Sequence, residues 1–267
     1  MVWLGDNTYL RVPDWNSKTG IYHRYTHTRS LPELQPLLAM THHYATWDDH
    51  DYGPNDCDRS FWGKQLTRQA FIDFWANLNY GVGGSEGITG YFEWSDCDFF
   101  MLDDRWYRAP RHGDGTYFGE TQLSWLIDAL RYSQAPFKFI CTGGQVVSDA
   151  AVFENMAQFP RERRMLLDSI DKYNISGVVF LTGDRHHSEI SRMATGDGDV
   201  IYDITSSALT SSCSPHPEEP NHHRVPGSMI GQRNYAILSV SGPEDARTCQ
   251  VTFKDSDGKV LFEHTLK

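Results

Sequence analysis

The stretch VVFLTGDRHHSE, residues 178–189, joins an apolar run to a polar cluster with almost no spacer. Residues 178–181 have the composition of a strand buried on both faces, and Asp184 and His186 follow within five positions. Three other short apolar runs also end in polar residues: 2–4 before 5–7, 44–47 before 48–51, and 137–141 before 142–145. The pattern predicts four strands that each end at a candidate site.

Helical patterns separate these strands. The spacing of apolar residues predicts helices over residues 31–40, 61–78, 120–132 and 161–173. Alternating strands and helices favour an α/β fold with a largely parallel sheet. Further short strands are predicted, with a long loop at 211–233: a pair at 91–94 and 98–102, and a closing antiparallel set at 200–204, 235–240, 250–253 and 260–264.

The composition limits the class of function. The chain has 267 residues, which suits one domain over residues 1–267, and its net charge of −11 repels nucleic acids and anionic membranes. We therefore expect no nucleic-acid-binding patch. Its apolar runs are far shorter than the ~20 residues of a transmembrane segment, and its 5 cysteines lack the CxxC spacing of a zinc knuckle. The oligomeric state stays open.

The polar clusters are predicted to meet. In open α/β sheets, ligands bind beyond the carboxyl ends of the parallel strands. Several acids at one place are costly unless cations neutralise them, so a metal site with one or more ions is expected. Oxygen and nitrogen donors fit iron, manganese, zinc or calcium without selecting among them. The converging residues are Asp6, Asp48, Asp49, His50, Asp51, Asp184, His186 and His187.

Each cluster also has a structural alternative. Asp6 could form a turn or cap a helix, residues 48–51 could be a solvated turn, and residues 184–189 could be a charged loop. The apolar runs that precede the last two clusters favour the site interpretation there. A calcium-binding structural module would need the regular spacing of an EF-hand loop, which DDHDYGPND, residues 48–56, lacks.

The motifs and their order resemble a known family, the alkaline phosphatase D (PhoD-like) metallophosphatases of the calcineurin-like metallophosphoesterase superfamily. The resemblance runs from residue 2 to about residue 265. It rests on GDNTY (5–9), WDDHDYGPND (47–56), LDDRWYR (102–108), GDRHHSE (183–189), DITSSALTSS (203–212) and NYAILSV (234–240). It implies a four-layer sandwich of two mixed β-sheets flanked by helices. Since the family carries an earlier strand with a first metal motif, we expect the chain to be N-terminally truncated.

The resemblance also implies a set of metal ligands. Asp6 would bridge two metal ions, and Tyr9 would ligate ferric iron through its phenolate. Asp49 stands where the superfamily has an asparagine ligand, and Asp184 and His186 match the last metal motif. Fe³⁺ and Ca²⁺ are implied as the cofactors, and zinc or manganese stays open.

Two further residues are predicted to be catalytic. The resemblance implies that His50 contacts the phosphate and protonates the leaving oxygen. Arg105 could clamp the phosphate through its planar guanidinium, or it could form a structural ion pair with Asp103 or Asp104. The residues expected to contact substrate or to support the ligands are Asn7, Asp48, Gln145, Arg185 and His187.

The function expected from the resemblance is a metal-dependent phosphoric ester hydrolase. An alkaline phosphatase or phosphodiesterase of this kind would use a metal-activated water at a binuclear or multinuclear site. Its partner would be a small phosphate ester or phosphodiester. The alternative is a truncated, catalytically silent domain that binds metal or phosphate. The family implies an extracytoplasmic or secreted location, for which the sequence itself offers no support.

Overall fold

A computed structural model describes residues 1–110 and 115–266 of the chain. The chain divides into two units. The first consists of Met1–Phe92, Phe100–Leu126 and Cys141–Gly143, and the second of Glu93–Phe99, Ile127–Ile140 and Gly144–Lys267. Helices and several sheets are present, so the α/β class is confirmed. The single-domain organisation stays a prediction.

The first unit contains a short parallel strand pair. Strand β1 (Val2–Leu4) pairs with β2 (Tyr44–Thr46), and Leu4 lies opposite Thr46. Because the two strands run the same way, the residues after Leu4 and after Thr46 emerge at one edge. The α-helices among the described residues up to 132 are α1 (Lys18–Arg29), α2 (Gln35–Met40), α3 (Asp49–Tyr52), α4 (Lys64–Phe74) and α5 (Glu120–Tyr132).

Trp47, directly after β2, anchors the polar cluster that follows it. Its ring is fully buried and packs edge-on against Tyr52 and Phe71, with ring centroids 5.1 and 5.4 Å away. Its indole Nε1 donates to Asp103 at 2.8 Å. A large buried aromatic residue held by a hydrogen bond has little rotational freedom. The chain that leaves β2 is therefore fixed at its first residue.

The next strands along the chain are β3 (Gly90–Trp94), β4 (Cys97–Met101), β5 (Phe137–Cys141), β6 (Val178–Thr182), β7 (Glu189–Ala194) and β8 (Val200–Thr205). They form a mixed sheet with the order β3-β4-β5-β6-β8-β7. In the second unit, β6 pairs parallel with β8, and β7 pairs antiparallel with β8. Helix α6 (Pro160–Lys172) begins with a proline at its first position, where the missing N–H costs nothing.

Three closing strands form a separate antiparallel sheet. Strand β10 (Thr248–Asp255) pairs with β9 (Asn234–Ser241) on one side and with β11 (Val260–Leu266) on the other. The prediction that residues 200–204 belong to this set is wrong, because they form β8 of the mixed sheet. Residues 201–205 are all buried, which is typical of a central strand covered on both faces.

The predicted helices differ from the structure mainly at their ends. The segment 31–40 contains a 3₁₀ turn, Pro32–Leu34, before α2, and the segment 61–78 shortens to α4. Helix α1 was not predicted because it buries only Ile21 and Tyr25 and so has no broad apolar stripe. No helix among the described residues is long and apolar enough to cross a membrane.

Candidate metal centre

The edge where β1 and β2 end brings three predicted site residues together. Asp6, Asp49 and His50 each present a ligand atom, and these atoms all lie within 4.8 Å of one another. Asp49 is buried, whereas Asp6 and His50 are half-buried. Two carboxylates and an imidazole suit a borderline or hard cation. The parallel pairing thus brings together three of the residues that the sequence predicts to converge.

Gly5 is required for this close approach. Its φ is +92°, and a Cβ built there would lie 2.5 Å from Cβ of Asp48, closer than two carbons can pack. Asp6 is also left-handed, with φ at +50°. Non-glycine residues adopt this region at a cost, and such strain concentrates at functional sites. The strained backbone at residue 6 therefore lowers the stability of the fold, but it places the Asp6 carboxylate at the site.

Tyr9 lies against both Asp6 and His50. Its hydroxyl donates to Oδ2 of Asp6 at 3.2 Å, and its ring centroid is 4.3 Å from that of His50, with the planes inclined by 31°. The backbone N–H of His50 donates to Oδ1 of Asp49 at 2.8 Å and faces Oδ1 of Asp6 at 3.3 Å. Four of the residues predicted for this unit, two acids, a phenol and an imidazole, are therefore neighbours.

Asp51 holds the two chain segments together, a role that the sequence analysis missed. Its carboxylate accepts the backbone N–H groups of Asn7 at 3.1 Å, Thr8 at 3.0 Å and Asp48 at 3.3 Å. Burial raises the pKa of Asp51 to about 7, against these hydrogen bonds, which lower it. The spacing Asp48-x-x-Asp51 at the start of α3 is a variant of the capping-box pattern and could have indicated this role.

Asn7 and Asp48 are held inside the first unit. The Asn7 amide donates to the carbonyl of Thr46 at 2.8 Å. Asp48 accepts Nε of Arg105 at 2.6 Å, and the two side chains are 0% and 1% exposed. Arg105 also donates to the carbonyl of Cys57 at 3.2 Å. These contacts favour a supporting role for both residues.

Arg105 fits the ion-pair alternative better than the phosphate clamp. Its guanidinium pairs with Asp48 and lies 3.8 Å from Asp104, while Asp103 accepts its backbone N–H at 3.0 Å. A guanidinium that is 1% exposed has little surface left for a ligand. The predicted partners were Asp103 and Asp104, and Asp48 is the closer one. The phosphate-clamp role of Arg105 stays a prediction.

In the second unit, Asp184 and His186 follow β6 in a tight loop. Both residues are left-handed, with φ at +58° and +55°, and the N–H of Arg185 reaches back to the carbonyl of Gly183 at 2.6 Å. Asp184 and His186 are half-buried, whereas Arg185 and His187 are buried. Burial therefore alternates along the loop: the two predicted ligands are partly accessible, and their neighbours lie in the interior.

The other three predicted contact residues of this unit lie in a buried network. Gln145 donates to Glu189 at 2.7 Å and accepts from Arg185 at 3.2 Å. The His187 ring is fully buried, with Nδ1 3.3 Å from the carbonyl of Ser214 and Nε2 3.9 Å from Glu189. Burial of Gln145, Arg185 and His187 favours support of the loop over contact with substrate.

Glu189 is the centre of this network and was not predicted. Asn221 donates to it at 3.0 Å, and Arg224 forms an ion pair with it. Burial works against ionisation of Glu189, but polar contacts with His187 and Gln145 and the charge of Arg224 outweigh it and lower the pKa of Glu189 to about 2. Glu189 is therefore held as an anion by its partners. These partners come from several segments of the chain, so no local sequence pattern indicates its role.

Comparison with known proteins places the chain in a family. The family model described as PhoD-like phosphatase matches residues 18–240. Alkaline phosphatase D of Bacillus subtilis (strain 168) is 23% identical over 258 aligned residues, which cover 77% of this chain and 43% of that protein. The chain therefore spans less than half the length of this curated relative.

A solved structure, titled "Structure of PhoD", shares the fold. It superposes on 100% of this chain and 66% of its own length with a TM-score of 0.71 at 19% sequence identity. With most of its length matched by the family model and its fold matched by this structure, the chain belongs to the PhoD-like phosphatase family.

Proposed function

We propose that this chain carries the catalytic machinery of a metal-dependent phosphoric ester hydrolase that acts on small phosphomonoesters or phosphodiesters. Family membership supports the reaction class. The observation that carries the proposal is the approach of Asp6, Asp49 and His50 to within 4.8 Å at the ends of two adjacent strands. A bound cation would lower the pKa of a coordinated water and neutralise charge on the phosphate oxygens.

The donor set of the first unit fits such a cation. Asp6 and Asp49 supply carboxylate oxygens, and the Tyr9 hydroxyl, 3.2 Å from Asp6, supplies a phenol. Hard oxygen donors with one phenolate suit a trivalent or divalent ion. In the second unit we propose Asp184 and His186 as ligands, since both strained residues are half-buried. The Fe³⁺ and Ca²⁺ implied by the resemblance stay a prediction.

His50 would act as the proton donor to the leaving oxygen. Its backbone is fixed by the N–H contact with Asp49 and by the carbonyl, which accepts from Leu10 at 3.1 Å. Its ring lies against Tyr9, and the residue is half-buried, so we propose that its imidazole can pass a proton to a substrate oxygen. A positioned imidazole of this kind contributes about 10²–10⁴ to the rate.

The buried polar residues would orient this machinery. Arg105 holds Asp48, whose neighbour Asp49 is a proposed ligand. Asn7 ties the chain after Asp6 to the end of β2. In the second unit, Gln145, Arg185 and His187 support the loop that carries Asp184 and His186. Partners of ligands commonly change metal affinity or activity 10–100-fold when removed.

Metal content and turnover of the purified chain test the proposal. We expect bound metal by elemental analysis, and hydrolysis of p-nitrophenyl phosphate or bis(p-nitrophenyl) phosphate that a chelator abolishes and added iron or calcium restores. Asp6→Asn and Asp184→Asn should lower bound metal, because each removes a negative ligand. Asp257→Asn, an exposed aspartate in the turn between β10 and β11, is the matched control.

The alternative is a silent domain that binds metal or phosphate. Bound metal without turnover of either ester would favour it over the hydrolase. Equal metal content in Asp6→Asn, Asp184→Asn and the control would contradict the ligand assignment. The extracytoplasmic location implied by the resemblance stays a prediction.

A further inference from the structure

The loop that carries Asp184 and His186 has a strained backbone, which contacts from other segments must stabilise. Two residues of this loop that are not glycine have left-handed backbones, at φ of +58° and +55°, a region that such residues adopt only at a cost in free energy. Such a conformation persists only where the surrounding structure enforces it. The residue between them, Arg185, is the one whose side chain enters the interior.

Arg185 is clamped on several sides. Its guanidinium donates to Glu219 at 2.5 Å and to Oε1 of Gln145 at 3.2 Å. It also lies 5.0 Å from the centre of the Phe153 ring, in cation–π geometry. The Arg185 side chain is 1% exposed and that of Glu219 is 7% exposed. Because water cannot screen this pair, removal of the Glu219 charge would leave Arg185 uncompensated in the interior.

The segment that supplies Glu219 also holds the backbone of the strained loop. The hydroxyl of Ser207 accepts the N–H of His186 at 3.1 Å, and the N–H of Ser214 donates to the carbonyl of His186 at 2.8 Å. Residues 207–219 therefore contact both the backbone of His186 and the side chain of Arg185. The ion pair ties the far end of this segment to the middle of the loop.

We propose that Glu219 is a positioning residue, which acts through Arg185 to keep Asp184 and His186 in their ligand-presenting conformation. The inference rests on the proposed function for the metal-binding role of these two residues. The side chain of Glu219 forms its ion pair with Arg185. It sets the geometry of Asp184 and His186 by fixing the side chain that lies between them in sequence.

Glu219→Ala and Glu219→Gln test this, with Glu218→Ala as the matched control. Glu218 is the neighbouring glutamate, its side chain is 72% exposed, and it pairs with His216 and not with Arg185. The first readout needs no metal: hydrogen–deuterium exchange of peptides covering residues 183–188, against peptides of β9–β11. We expect faster exchange at 183–188 in both Glu219 variants, with the β9–β11 peptides unchanged.

The second readout is titration with Mn²⁺ alone. We expect about tenfold weaker binding in Glu219→Ala, less loss in Glu219→Gln, which keeps an acceptor for Arg185, and none in Glu218→Ala. In a double-mutant cycle, Arg185→Met with Glu219→Ala should be no worse than Arg185→Met alone, since the two residues act as one unit.

Exchange at 183–188 that matches Glu218→Ala overturns the inference, as does unaltered Mn²⁺ affinity in Glu219→Ala beside a binding wild type. Additive effects in the cycle also overturn it, because Glu219 would then act independently of Arg185. A wild type that binds no Mn²⁺, Fe or Ca contradicts the proposed function instead. In that case faster exchange at 183–188 still supports the hold of Glu219 on the loop.

Discussion

The ends of β1 and β2 in the first unit and the end of β6 in the second present their candidate ligands by different means. In the first unit, adjacent parallel strands supply Asp6 and Asp49, and Asp51 ties the two segments through backbone N–H groups. In the second unit, Asp184 and His186 share one loop, and side chains from distant segments hold it. Strand pairing positions Asp6 and Asp49, whereas side-chain contacts of Arg185 position the loop with Asp184 and His186.

The candidate ligands of the first unit are therefore positioned by strand pairing, and those of the second unit by individual side chains. Loss of an anchor in the first unit should weaken the pairing of β1 with β2 and therefore the stability of the unit. Loss of the clamp in the second unit should loosen one loop while its strands keep their ladder. We therefore expect substitutions of supporting residues to lower the overall stability of the first unit, but to loosen only the loop after β6 in the second.

The largest expected effect comes from the two histidines. His50→Ala should lower turnover by about 10²–10⁴ with metal content unchanged, because His50 is the proposed proton donor. His186→Ala should lower metal content, because His186 is a proposed ligand. The measurements are kcat with p-nitrophenyl phosphate and elemental analysis of both variants.

Exposed His23→Ala on α1 serves as the control for both substitutions. Equal loss of metal in His50→Ala and His186→Ala would contradict the different roles proposed for the two histidines. His50 would then be a ligand, a role that its position beside Asp6 and Asp49 also permits.

The second effect is on stability. Asp51→Ala removes the acceptor of three backbone N–H groups in the first unit, and each buried N–H left without a partner costs about 1–3 kcal/mol. We expect a loss of about 4 kcal/mol and a fall in Tm of roughly 8–16 °C. Thermal unfolding measured by circular dichroism checks this.

Asp51→Asn sharpens the same test because it keeps one acceptor oxygen. It should lose clearly less stability than Asp51→Ala. Equal Tm in the wild type and Asp51→Ala would show that the two segments meet without this anchor, and the contrast between the units would disappear.

The arrangement of Asp6, Asp49 and His50 could be predicted from the sequence because the signals that produce it are local. A short apolar run that ends in acids marks a strand end, and two such strands in parallel bring Asp6, Asp49 and His50 together. The same pattern predicts strands at 2–4, 44–47, 137–141 and 178–181, and the structure has them at Val2–Leu4, Tyr44–Thr46, Phe137–Cys141 and Val178–Thr182. The roles of these residues stay proposals.

The support of the second site depends on contacts between residues far apart in sequence. Glu219 pairs with Arg185, 34 positions away, and Gln145 meets Glu189 across 44 positions. Glu219 stands in no pattern that distinguishes it from Glu218, and Glu189 ends the GDRHHSE motif without any local sign of its role in the network. Strand β8 was misassigned for a related reason, since its partners β6 and β7 and not its own sequence make it central.

The smallest effect concerns Asp203 in β8, the counterpart of Asp51 in the second unit. Its carboxylate accepts the N–H groups of Val146 and Val147 and the hydroxyl of Thr182 at 2.7, 2.9 and 2.8 Å. Burial, although opposed by these hydrogen bonds, raises the pKa of Asp203 to about 6 from an ordinary 3.8. The folded state therefore binds this proton more tightly than the unfolded state.

The sign of the pH dependence follows from that shift. The stabilisation by protonated Asp203 is fully present below pH 3.8 and is lost as the pH rises through 6. Asp203→Asn does not titrate, and its amide can accept from the Val146 and Val147 N–H groups while it donates to Thr182. Relative to this variant, the wild type should lose up to about 3 kcal/mol of unfolding free energy between pH 4 and pH 7. Urea unfolding of both proteins across that range measures the difference. If the unfolding free energies of the two proteins changed in parallel between pH 4 and pH 7, the prediction would be wrong. Asp203 would then be ionised in the folded protein over this range, and its hydrogen bonds would compensate for the effect of burial on its pKa.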